Sequence, residues 1–571
     1  MINFFLFAIS AIICAGAWFI SRGRFGRFGV YLGRFFIAGA LVGASSAFTG
    51  KEEFVINTFI GNSLLGFIFI NIGTIIYHRF STILEGVFSF FSNGESENDN
   101  GHLRGARLVT GKQLQKILKK EEGDLTIGSQ KIPERLEALH FLIAGSTGVG
   151  KSVAICEVLD GIAARGDRVF LSDAGGNFLK AYYNEERHDL ILNPLDSRAI
   201  NWSPLAEIKS VWDVDQIAKS IIPDAEGSSA EWNGYAQTIV SAILKHCWQN
   251  NLTNADIFKL ATVADIKELR EIFAGTPAQP FAEEGNERMF GSVRAIVGRY
   301  ISPFQYLEAA AGVENGFSLK DIVSSDKAKG WLFFNFRDDQ LETLKPIIAA
   351  MADIISKTIL SMEESKTRKF WMIIDEFASL GRIGSILDFL TKARKNGGRA
   401  ILGLQTVSQL EIPYTRAEAH TILANCSSQV VFRVPDPETS DVMSRLLGEA
   451  QISRIVASGG ESENKSFQQV FGSKSKNENW QQQITNDRIV LPGELQNLET
   501  LHGFLNFAGS IPAAPILLEP VNRPQTATTF EQATREAIKI KPAIQVMAET
   551  KQAEVNNISD SDLPPGMEGD F

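Results

Sequence analysis

Long apolar stretches dominate the first eighty residues of the chain. Ile2–Ile20 and Phe54–Tyr77 contain no charged residue, and the shorter apolar stretch Phe35–Phe48 lies between them. With ~1.5 Å of rise per helical residue, the second stretch reaches roughly 35 Å, which is enough to cross the hydrocarbon core of a bilayer. Residues 1–80 are therefore predicted to form a membrane anchor of at least two transmembrane helices, with three preferred.

Arginines near the first stretch predict how the anchor is oriented. Arg22, Arg24, Arg27 and Arg34 form a cluster, and such clusters remain in the cytoplasm under the positive-inside rule. Three spans keep the cluster and everything after Arg79 inside, whereas two spans would place the cluster outside. A cleaved signal peptide is an alternative for the first stretch, although its start lacks positive charge. The predicted location is the bacterial inner (cell) membrane, multi-pass, with the bulk of the chain cytoplasmic.

Beyond the anchor, short apolar runs alternate with stretches of helical periodicity. Residues 81–104 include the polar segment SNGESENDNGH and are predicted to be a linker. The runs that predict strands include FLIA, DRVFLSDA, GWLFFNF, WMII, GRAILGLQ and QVVFRVPD. Because predicted helices separate these strands, the expected fold is α/β with a doubly wound, parallel sheet.

Three segments depart from this α/β pattern. Apolar residues at a spacing of three to four predict a mostly helical segment over 208–322, which lies between the α/β stretches 105–207 and 323–520. Residues 457–485 are polar with few apolar positions and are predicted to be a flexible loop. Residues 521–571 end in an acidic, proline-containing sequence and are predicted to be a flexible acidic tail.

Composition and charge restrict the binding partners, the compartment and the metal sites that we expect for the chain. The chain has 571 residues, is 44% hydrophobic and 21% charged, and has a formal net charge of −10. This balance argues against a uniformly basic surface for nucleic acid, but it is compatible with local basic loops that line a channel. The four cysteines are scattered, without the paired spacing of a zinc site or a disulfide framework. We therefore expect a reducing compartment for most of the chain, and a metal ion only together with a nucleotide.

A glycine-rich motif of the form G-x-x-x-x-G-K-S predicts a phosphate-binding loop. It follows the apolar run FLIA and precedes a predicted helix, which is the context that such a loop requires. Backbone N–H groups of the loop can converge on phosphate oxygens, Lys151 can reach the β- and γ-phosphates, and Ser152 can bind Mg²⁺. The predicted nucleotide-binding residues are Gly145, Ser146, Thr147, Gly148, Val149, Gly150, Lys151 and Ser152.

Two adjacent carboxylates after a second apolar run, WMII, predict the other half of the site. Asp375 would hold Mg²⁺ together with Ser152, and Glu376 would act as the general base for the attacking water. Ligands of parallel sheets bind at the carboxyl ends of the strands, which is where both acids fall. Gln405 ends the next predicted strand and either senses the γ-phosphate or is an ordinary polar strand end.

Two arginines flank the segment KNGG after a predicted helix. Arg394 or Arg399 could be an arginine finger that is offered to a neighbouring subunit, a contribution worth ~10³–10⁵ in rate where it operates. A solvated helix end is the alternative for either residue.

Several longer stretches resemble one family. GSTGVGKS, DRVFLSDAGGNFLKAYYN, ILNPLDSRAINWSPL, WMIIDEFASLGRI, KARKNGGRAILGLQTVSQL and DRIVLPGELQNL are similar to segments of the TraD/TrwB-type conjugative coupling proteins, membrane-anchored relatives of the FtsK-like translocases. The resemblance runs from about Gly105 to Pro520. It implies a RecA-like P-loop NTPase domain with an inserted all-α domain, ATP and Mg²⁺ as cofactors, and a homo-hexamer. Family members usually have two membrane spans with a periplasmic loop, whereas this chain has three apolar stretches and almost no such loop.

The resemblance also implies roles for single residues. Arg394 falls where the family has its arginine finger, and Gln405 falls where it has a sensor glutamine. Both therefore join Lys151 and Glu376 as predicted catalytic residues. Asp173 matches an acidic position of the family.

The helical insertion contains residues with two interpretations each. Lys245, Arg294 and Arg299 could bind DNA or be ordinary solvated residues. Trp232 matches a family aromatic position, but it could equally belong to the core.

The expected function is that of a membrane-anchored, ATP-driven DNA translocase. It would couple the relaxosome, including the relaxase with its DNA, to a type IV secretion channel in conjugative transfer, and it would bind DNA without sequence specificity. Two alternatives stay open: a coupling ATPase that recruits protein substrates to the secretion system, and a chromosome-segregation translocase. The acidic tail is either a solubilising tail or a docking peptide for a basic relaxosome protein.

Overall fold

The computed structural model describes residues 102–307, 316–462 and 475–533. The stretches predicted to anchor the chain in a membrane lie outside these ranges. Within the ranges, no helix combines the length and the hydrophobicity that a bilayer span requires.

The described residues form the following elements. The strands are β1 His102–Gly105, β2 Thr126–Ile127, β3 Gln130–Lys131, β4 Phe141–Ala144, β5 Arg168–Ala174, β6 Leu190–Ile191, β7 Leu332–Phe336, β8 Phe370–Ile374, β9 Gly398–Leu404, β10 Ser428–Val431, β11 Glu449–Ser462, β12 Ser475–Arg488, β13 His502–Asn506 and β14 Ala514–Leu517. The α-helices are α1 Gly111–Leu118, α2 Glu134–Glu137, α3 Lys151–Arg165, α4 Asn177–Tyr182, α5 Val211–Ile221, α6 Ser228–Gln249, α7 Asn254–Thr262, α8 Ile266–Phe273, α9 Glu287–Ile301, α10 Leu319–Ser324, α11 Asp338–Ser361, α12 Ile386–Lys392, α13 Val407–Leu410, α14 Arg416–Asn425, α15 Pro437–Leu447 and α16 Pro492–Gln496.

A nine-stranded sheet is the centre of the structure, with the order β14-β13-β10-β4-β9-β8-β5-β7-β6. The strands from β10 to β6 are parallel, and β13 and β14 are antiparallel at one edge. Every residue of β7, β8 and β9 is buried, because helices cover both faces of a parallel sheet. The sheet confirms the prediction of an α/β, doubly wound fold.

Alternate side chains of a strand enter two separate hydrophobic cores. In β8, Phe370, Met372 and Ile374 belong to one core, whereas Trp371 and Ile373 belong to the other, as the two-residue period of a strand requires. The first core is shared with α11, α12 and the helical insertion, and the second with α1 and α3. Helices therefore pack on both faces of the sheet. The loops at the carboxyl ends of its strands form the candidate site.

Helices α5–α9 form the insertion, and a buried carboxylate joins its two ends. Glu207 accepts hydrogen bonds from Trp202 Nε1 (2.8 Å), from Ser318 Oγ (2.9 Å) and from the backbone N–H of Leu319 (2.6 Å). Burial raises the pKa of Glu207, although these donors act in the opposite direction. Because α10 begins at Leu319, the carboxylate also satisfies N–H groups at the start of that helix. The chain therefore returns to the α/β domain close to where it left.

The prediction of a flexible loop over 457–485 is wrong for the residues that the structure describes. β11 and β12 pair antiparallel from Glu449↔Arg488 to Ser462↔Ser475, and β1 pairs with the base of β11. The low apolar content suggested a loop, but a ladder of backbone hydrogen bonds does not need an apolar face.

The predicted flexible tail begins too early at residue 521. Residues 521–533 run along the α/β domain, where Thr526 N donates to Lys180 O (2.8 Å). Arg523 forms an ion pair with Asp160 on α3. The polar composition of the segment suggested a tail, but backbone hydrogen bonds and an ion pair hold it on the domain.

Candidate active site

The glycine-rich loop connects β4 to α3 and is held by a neighbouring strand. Gly145 N donates to Leu404 O at the end of β9 (3.0 Å). A Cβ atom on Gly145 would lie only 2.7 Å from Val149 Cγ2, and Gly150 has a φ of 127°, which a side chain disfavours. The path of the loop therefore requires glycine at these positions, and it leads directly into the N-terminus of α3.

Lys151 lies over this loop at the start of α3 and is only 8% exposed. Its Nζ donates to Gly145 O (2.7 Å) and to Ser146 O (3.2 Å). Burial lowers the pKa of Lys151, and the carboxylates of Asp375 and Glu376 oppose this effect. The ammonium group is thus held by carbonyl oxygens of the loop and attracted by two acids from the end of β8.

Asp375 and Ser152 face each other across the sheet edge. Ser152 Oγ donates to Asp375 Oδ2 at 3.4 Å, and the buried Asp375 Oδ1 has no hydrogen-bond partner within the described part of the chain. Burial raises the pKa of Asp375 to about 6, and Lys151 counteracts this rise. The Ser152 hydroxyl and the Asp375 carboxylate, with its unpartnered buried oxygen, are a donor set that suits Mg²⁺, which prefers oxygen ligands. The residues present therefore fit a magnesium ion bound together with phosphate.

Glu376 and Gln405 are brought together from neighbouring strands. Gln405 Nε2 donates to Glu376 Oε1, and the two residues follow β8 and β9. The strands approach closely here, since a Cβ atom on Gly403 would lie 1.8 Å from Asp375 O. The amide of Gln405 therefore orients the carboxylate that the sequence identifies as the general base.

Asp173 adds a third carboxylate at the same edge. It is the penultimate residue of β5, which pairs with β8 at Ser172↔Ile374, so the residue after each of these positions is an aspartate. Asp173 is fully buried and accepts a hydrogen bond from Leu179 N (2.7 Å), near the start of α4. Burial raises the pKa of Asp173 to about 8. Its position therefore couples the loop before α4 to the strand that carries the acidic pair.

Asp173→Asn is expected to flatten the pH dependence of stability in the nucleotide-free protein. The pKa of Asp173 rises from 3.8 to about 8 on folding, so the folded state binds more protons than the unfolded state between these values. The contribution of Asp173 to the free energy of unfolding is therefore fully present below about pH 4 and is lost as the pH rises toward about 8. The Tm of the variant, followed across this range, should fall less than that of the wild type. Parallel curves, or an equal flattening by Asp388→Asn on the exposed face of α12, would contradict this assignment.

The structure separates the two arginines that the sequence left as alternatives. Arg399 is buried, its Nε donates to Glu137 Oε2 (3.1 Å), and its guanidinium lies over the Trp371 ring. It therefore stabilises the core and is not available to a neighbouring subunit. Arg394 is exposed in the 3₁₀ segment Ala393–Asn396, and its guanidinium has no partner among the described residues.

Arg394 lies at the amino ends of the parallel strands, whereas the phosphate-binding loop of its own chain lies at their carboxyl ends. It precedes the amino end of β9, whereas the loop follows the carboxyl end of β4, and these strands are adjacent and parallel. Seven residues of β9 separate the two edges, which corresponds to ~20 Å. Arg394 cannot reach its own loop, so any action on a nucleotide must occur in a neighbouring subunit.

The candidate residues of the insertion divide between packing and surface. Arg294 Nε donates to Ala261 O (3.2 Å) and its guanidinium lies near the Phe290 ring, so it joins α9 to α7. Trp232 is 38% exposed and packs edge-on against Tyr235. Arg299 is exposed and Lys245 is half-buried. No DNA contact follows from these positions.

One contact to the phosphate-binding loop was not predicted from the sequence. Leu501 N donates to Val149 O (2.8 Å), and Leu501 has a φ of 68°, which is unusual for a residue with a branched side chain. Its side chain also lies 3.3 Å from where a Cβ of Gly150 would be. Strained residues often mark functional sites, but the local sequence around Leu501 carries no signal of this conformation.

The fold and the site together define a class of protein. A glycine-rich loop follows one strand of a parallel sheet, an acidic pair follows another, and a single strand with a terminal glutamine lies between them. This arrangement is that of a RecA-like P-loop NTPase with an all-helical insertion.

Comparison with known proteins narrows the class to one family. The family model of the type IV secretion-system coupling protein DNA-binding domain matches residues 124–519. The coupling protein TraD of Escherichia coli (strain K12) is 28% identical over 447 residues, which are 76% of this chain and 61% of TraD. This chain belongs to the family of type IV secretion-system coupling proteins, as its resemblance to the TraD/TrwB type implied.

Solved structures agree with this assignment. The bacterial conjugative coupling protein TrwBdeltaN70, in an unbound form, is 30% identical and matches with a TM-score of 0.68 over 76% of this chain and 96% of that one. TrwB in complex with ADP and Mg²⁺ is also 30% identical, with a TM-score of 0.67 over 76% of this chain and 97% of that one. The chain spans about 61% of the length of TraD.

Proposed function

We propose that this chain is a membrane-anchored ATPase that drives DNA, with its attached relaxase, from the relaxosome toward a type IV secretion channel. The observation that carries the proposal is the convergence of the phosphate-binding loop, the acidic pair and Gln405 at one sheet edge. Family membership supports DNA as the substrate, since the matching model describes a DNA-binding domain. The apolar stretches of residues 1–80 support the inner membrane as its location.

The nucleotide site would be formed by the loop and the first turn of α3. Backbone N–H groups from Gly145 to Ser152 would bind the phosphates of ATP at the positive end of the helix. Lys151 would exchange its hydrogen bonds to loop carbonyls for phosphate oxygens. Ser152 and Asp375 would hold Mg²⁺, which supplies charge neutralisation at the phosphates when bound. The complex of TrwB with ADP and Mg²⁺ supports this choice of cofactors.

Hydrolysis would depend on the groups at the ends of β8 and β9. Glu376 would accept the proton of the attacking water, and Gln405 would keep its carboxylate oriented through the hydrogen bond between them. Gln405 could exchange this bond for the γ-phosphate and so report whether the nucleotide is intact. Both residues are half-buried, which strengthens these interactions because it reduces the screening by bulk water.

The position of Arg394 at the amino ends of the strands supports a ring of subunits. Arg394 is exposed and distant from its own loop, so it would complete the site of the next subunit in a homo-hexamer. Hydrolysis at such an interface would move neighbouring subunits relative to each other and advance DNA through the central channel. In the channel, the protein would contact the phosphates of the DNA backbone, and such contacts are independent of DNA sequence.

Glu376→Gln is expected to bind nucleotide as the wild type does, because it keeps the shape of the side chain. Its rate of ATP hydrolysis should fall by ~10²–10⁴, because the base is removed. Equilibrium binding of a fluorescent ATP analogue and a phosphate-release assay measure the two effects. Glu363→Gln, an exposed residue before β8, is the matched control. Equal hydrolysis by Glu376→Gln and the wild type would exclude Glu376 as the base.

Plasmid transfer between cells tests the proposed role against its alternatives. Donors that carry Glu376→Gln should divide normally and yield no transconjugants. A chromosome-partition defect in these donors would indicate a segregation translocase. Transfer of relaxase protein without DNA by the wild type would indicate a receptor for protein substrates.

A further inference from the structure

Residues 521–533, here called the strap, lie beyond the part of the chain that matches the family model, which ends at residue 519. The strap begins at the helix that follows the phosphate-binding loop. Arg523 Nε donates to Asp160 Oδ1 (2.9 Å) on α3, and Tyr182 Oη, at the end of α4, donates to the same oxygen (2.7 Å). One carboxylate thus joins α3, α4 and the strap.

The strap then follows α4 and crosses toward the carboxyl edge of the sheet. Thr526 N donates to Lys180 O (2.8 Å), and farther along Ser197 N donates to Glu531 O (2.7 Å). Backbone hydrogen bonds at both ends fix the strap along its length, because they are independent of side-chain rotamers.

Thr529 is the point at which the strap meets the candidate site. Its carbonyl oxygen accepts a hydrogen bond from Asn335 Nδ2 (2.8 Å) near the end of β7. A Cβ atom on Gly176 would lie 2.5 Å from this oxygen, and Gly176 has a φ of 70°. The loop between β5 and α4 is therefore enclosed between the sheet and the strap, and only a glycine fits where they touch.

Asp173 lies in β5 just before the enclosed loop, and this strand pairs with the strand that precedes Asp375. The hydrogen bond from Leu179 N to Asp173 Oδ2 depends on α4 remaining where the strap holds it. If α4 moves away, Asp173 loses this partner and the packing next to the acidic pair changes. The strap and the acidic pair are therefore mechanically linked through one short helix.

We propose that the strap is a positioning element of the nucleotide site, acting through Arg523 and Thr529 on the loop and helix that hold Asp173. Its kinetic consequence rests on the proposed ATPase function, but its structural consequence does not. Removing an anchor of the strap should loosen α4, leave the fold intact and lower kcat more than it changes KM. A displacement of about 1 Å at a catalytic edge can cost up to about 10²-fold in rate.

A charge exchange between the strap and α3 tests the proposal in the full chain. Arg523→Asp places two carboxylates together, whereas Arg523→Asp with Asp160→Arg restores the pair in reverse. Hydrogen exchange at the amides of 177–182 is the readout, since one of them, Leu179 N, bonds to Asp173. Arg445→Asp is the matched control, because its ion pair with Asp441 on α15 has a similar length.

We expect faster exchange at these amides in Arg523→Asp and wild-type exchange in Arg445→Asp. The double variant should recover only in part, because Asp160→Arg also removes the acceptor of Tyr182 Oη. The ATPase of Arg523→Asp should show a kcat reduced by about tenfold and a KM within about threefold. Unchanged exchange at 177–182 in Arg523→Asp would overturn the proposal. If the wild type has no ATPase activity, the proposed function fails while the exchange result still decides the role of the strap.

A second pair of variants covers the case in which Arg523→Asp does not fold. A chain that ends after Ala533 keeps the strap, and one that ends after Pro520 lacks it. The first should show wild-type exchange at 177–182, and the second should show faster exchange there. Equal exchange in both truncated chains would overturn the proposal.

Discussion

Lys151→Ala is expected to reduce ATP hydrolysis by ~10³ or more while the protein stays folded, because it removes a preorganised charge aimed at the transferring phosphate. The ammonium group is buried and held beside the loop by Gly145 O and Ser146 O, so the charge already lies at the phosphate site before a nucleotide arrives. Lys151→Arg should also fail, since the larger planar guanidinium does not fit a site shaped for a compact ammonium.

The fold should tolerate the loss of Lys151. Burial lowers its pKa, which means that the folded state holds the charged form at a cost. Removing the charge is therefore not expected to lower the Tm. A phosphate-release assay, with the exposed Lys366→Ala as the control and thermal unfolding as the check of folding, measures both effects. Hydrolysis by Lys151→Ala above about a tenth of the wild-type rate, against the ~10³ expected from such a charge, would exclude the loop as the phosphate site.

Arg394→Ala is expected to hydrolyse ATP ~10³–10⁵-fold more slowly than the wild type, because an arginine finger contributes this much to the rate. Part of the activity should return when the variant is mixed with Glu376→Gln. In a mixed ring, some interfaces join an Arg394→Ala subunit, which retains Glu376, to a Glu376→Gln subunit, which donates Arg394. These interfaces contain a complete set of residues although neither variant does. Recovery arises only if the arginine acts on the adjacent subunit, in keeping with its place at the far edge of the sheet.

The mixing experiment has an internal control. Arg394→Ala subunits mixed with subunits that carry both Arg394→Ala and Glu376→Gln have no complete interface and should stay inactive. Lys395→Ala, the exposed neighbour of Arg394, should remain active alone. Hydrolysis that stays at the background level at every mixing ratio of the first pair would contradict action in trans.

The chemistry of the site was predictable because its residues are contiguous or follow an apolar strand. The glycine-rich loop carries its constraints within eight residues, from Gly145 to Ser152. The acidic pair follows β8, whose five residues are all buried. A parallel sheet then brings the ends of such strands to one edge, so the convergence of the two motifs follows from local patterns.

Other parts of the site depend on contacts between distant segments. Arg394 and Arg399 are five positions apart in the sequence, and only the start of β9 at Gly398 decides that Arg399 enters the core. Leu501 reaches Val149 through a backbone hydrogen bond, and the strap is held mainly by backbone groups and two ion pairs. Backbone contacts of this kind leave no hydrophobic period and no motif, so the sequence alone did not predict them.

The amide of Gln405 illustrates an intermediate case. Its position at the end of a strand was predictable from the pattern, whereas the choice of its role as a sensor came only from the resemblance to the family. The structure shows that it donates to Glu376, so it contacts the predicted general base and is not an isolated polar strand end. Whether it also senses the γ-phosphate is part of the proposed mechanism.

The rate of ATP hydrolysis by the full chain as a function of DNA concentration tests the DNA-driven motor most directly. Single-stranded and duplex DNA should be titrated at fixed low salt, because phosphate contacts weaken steeply as salt rises, with Lys151→Ala as the blank. We predict stimulation by DNA that becomes steeper as the protein concentration increases, since each complete site needs two subunits. A rate that stays flat at every DNA and protein concentration would contradict a DNA-driven motor and favour a receptor for protein substrates.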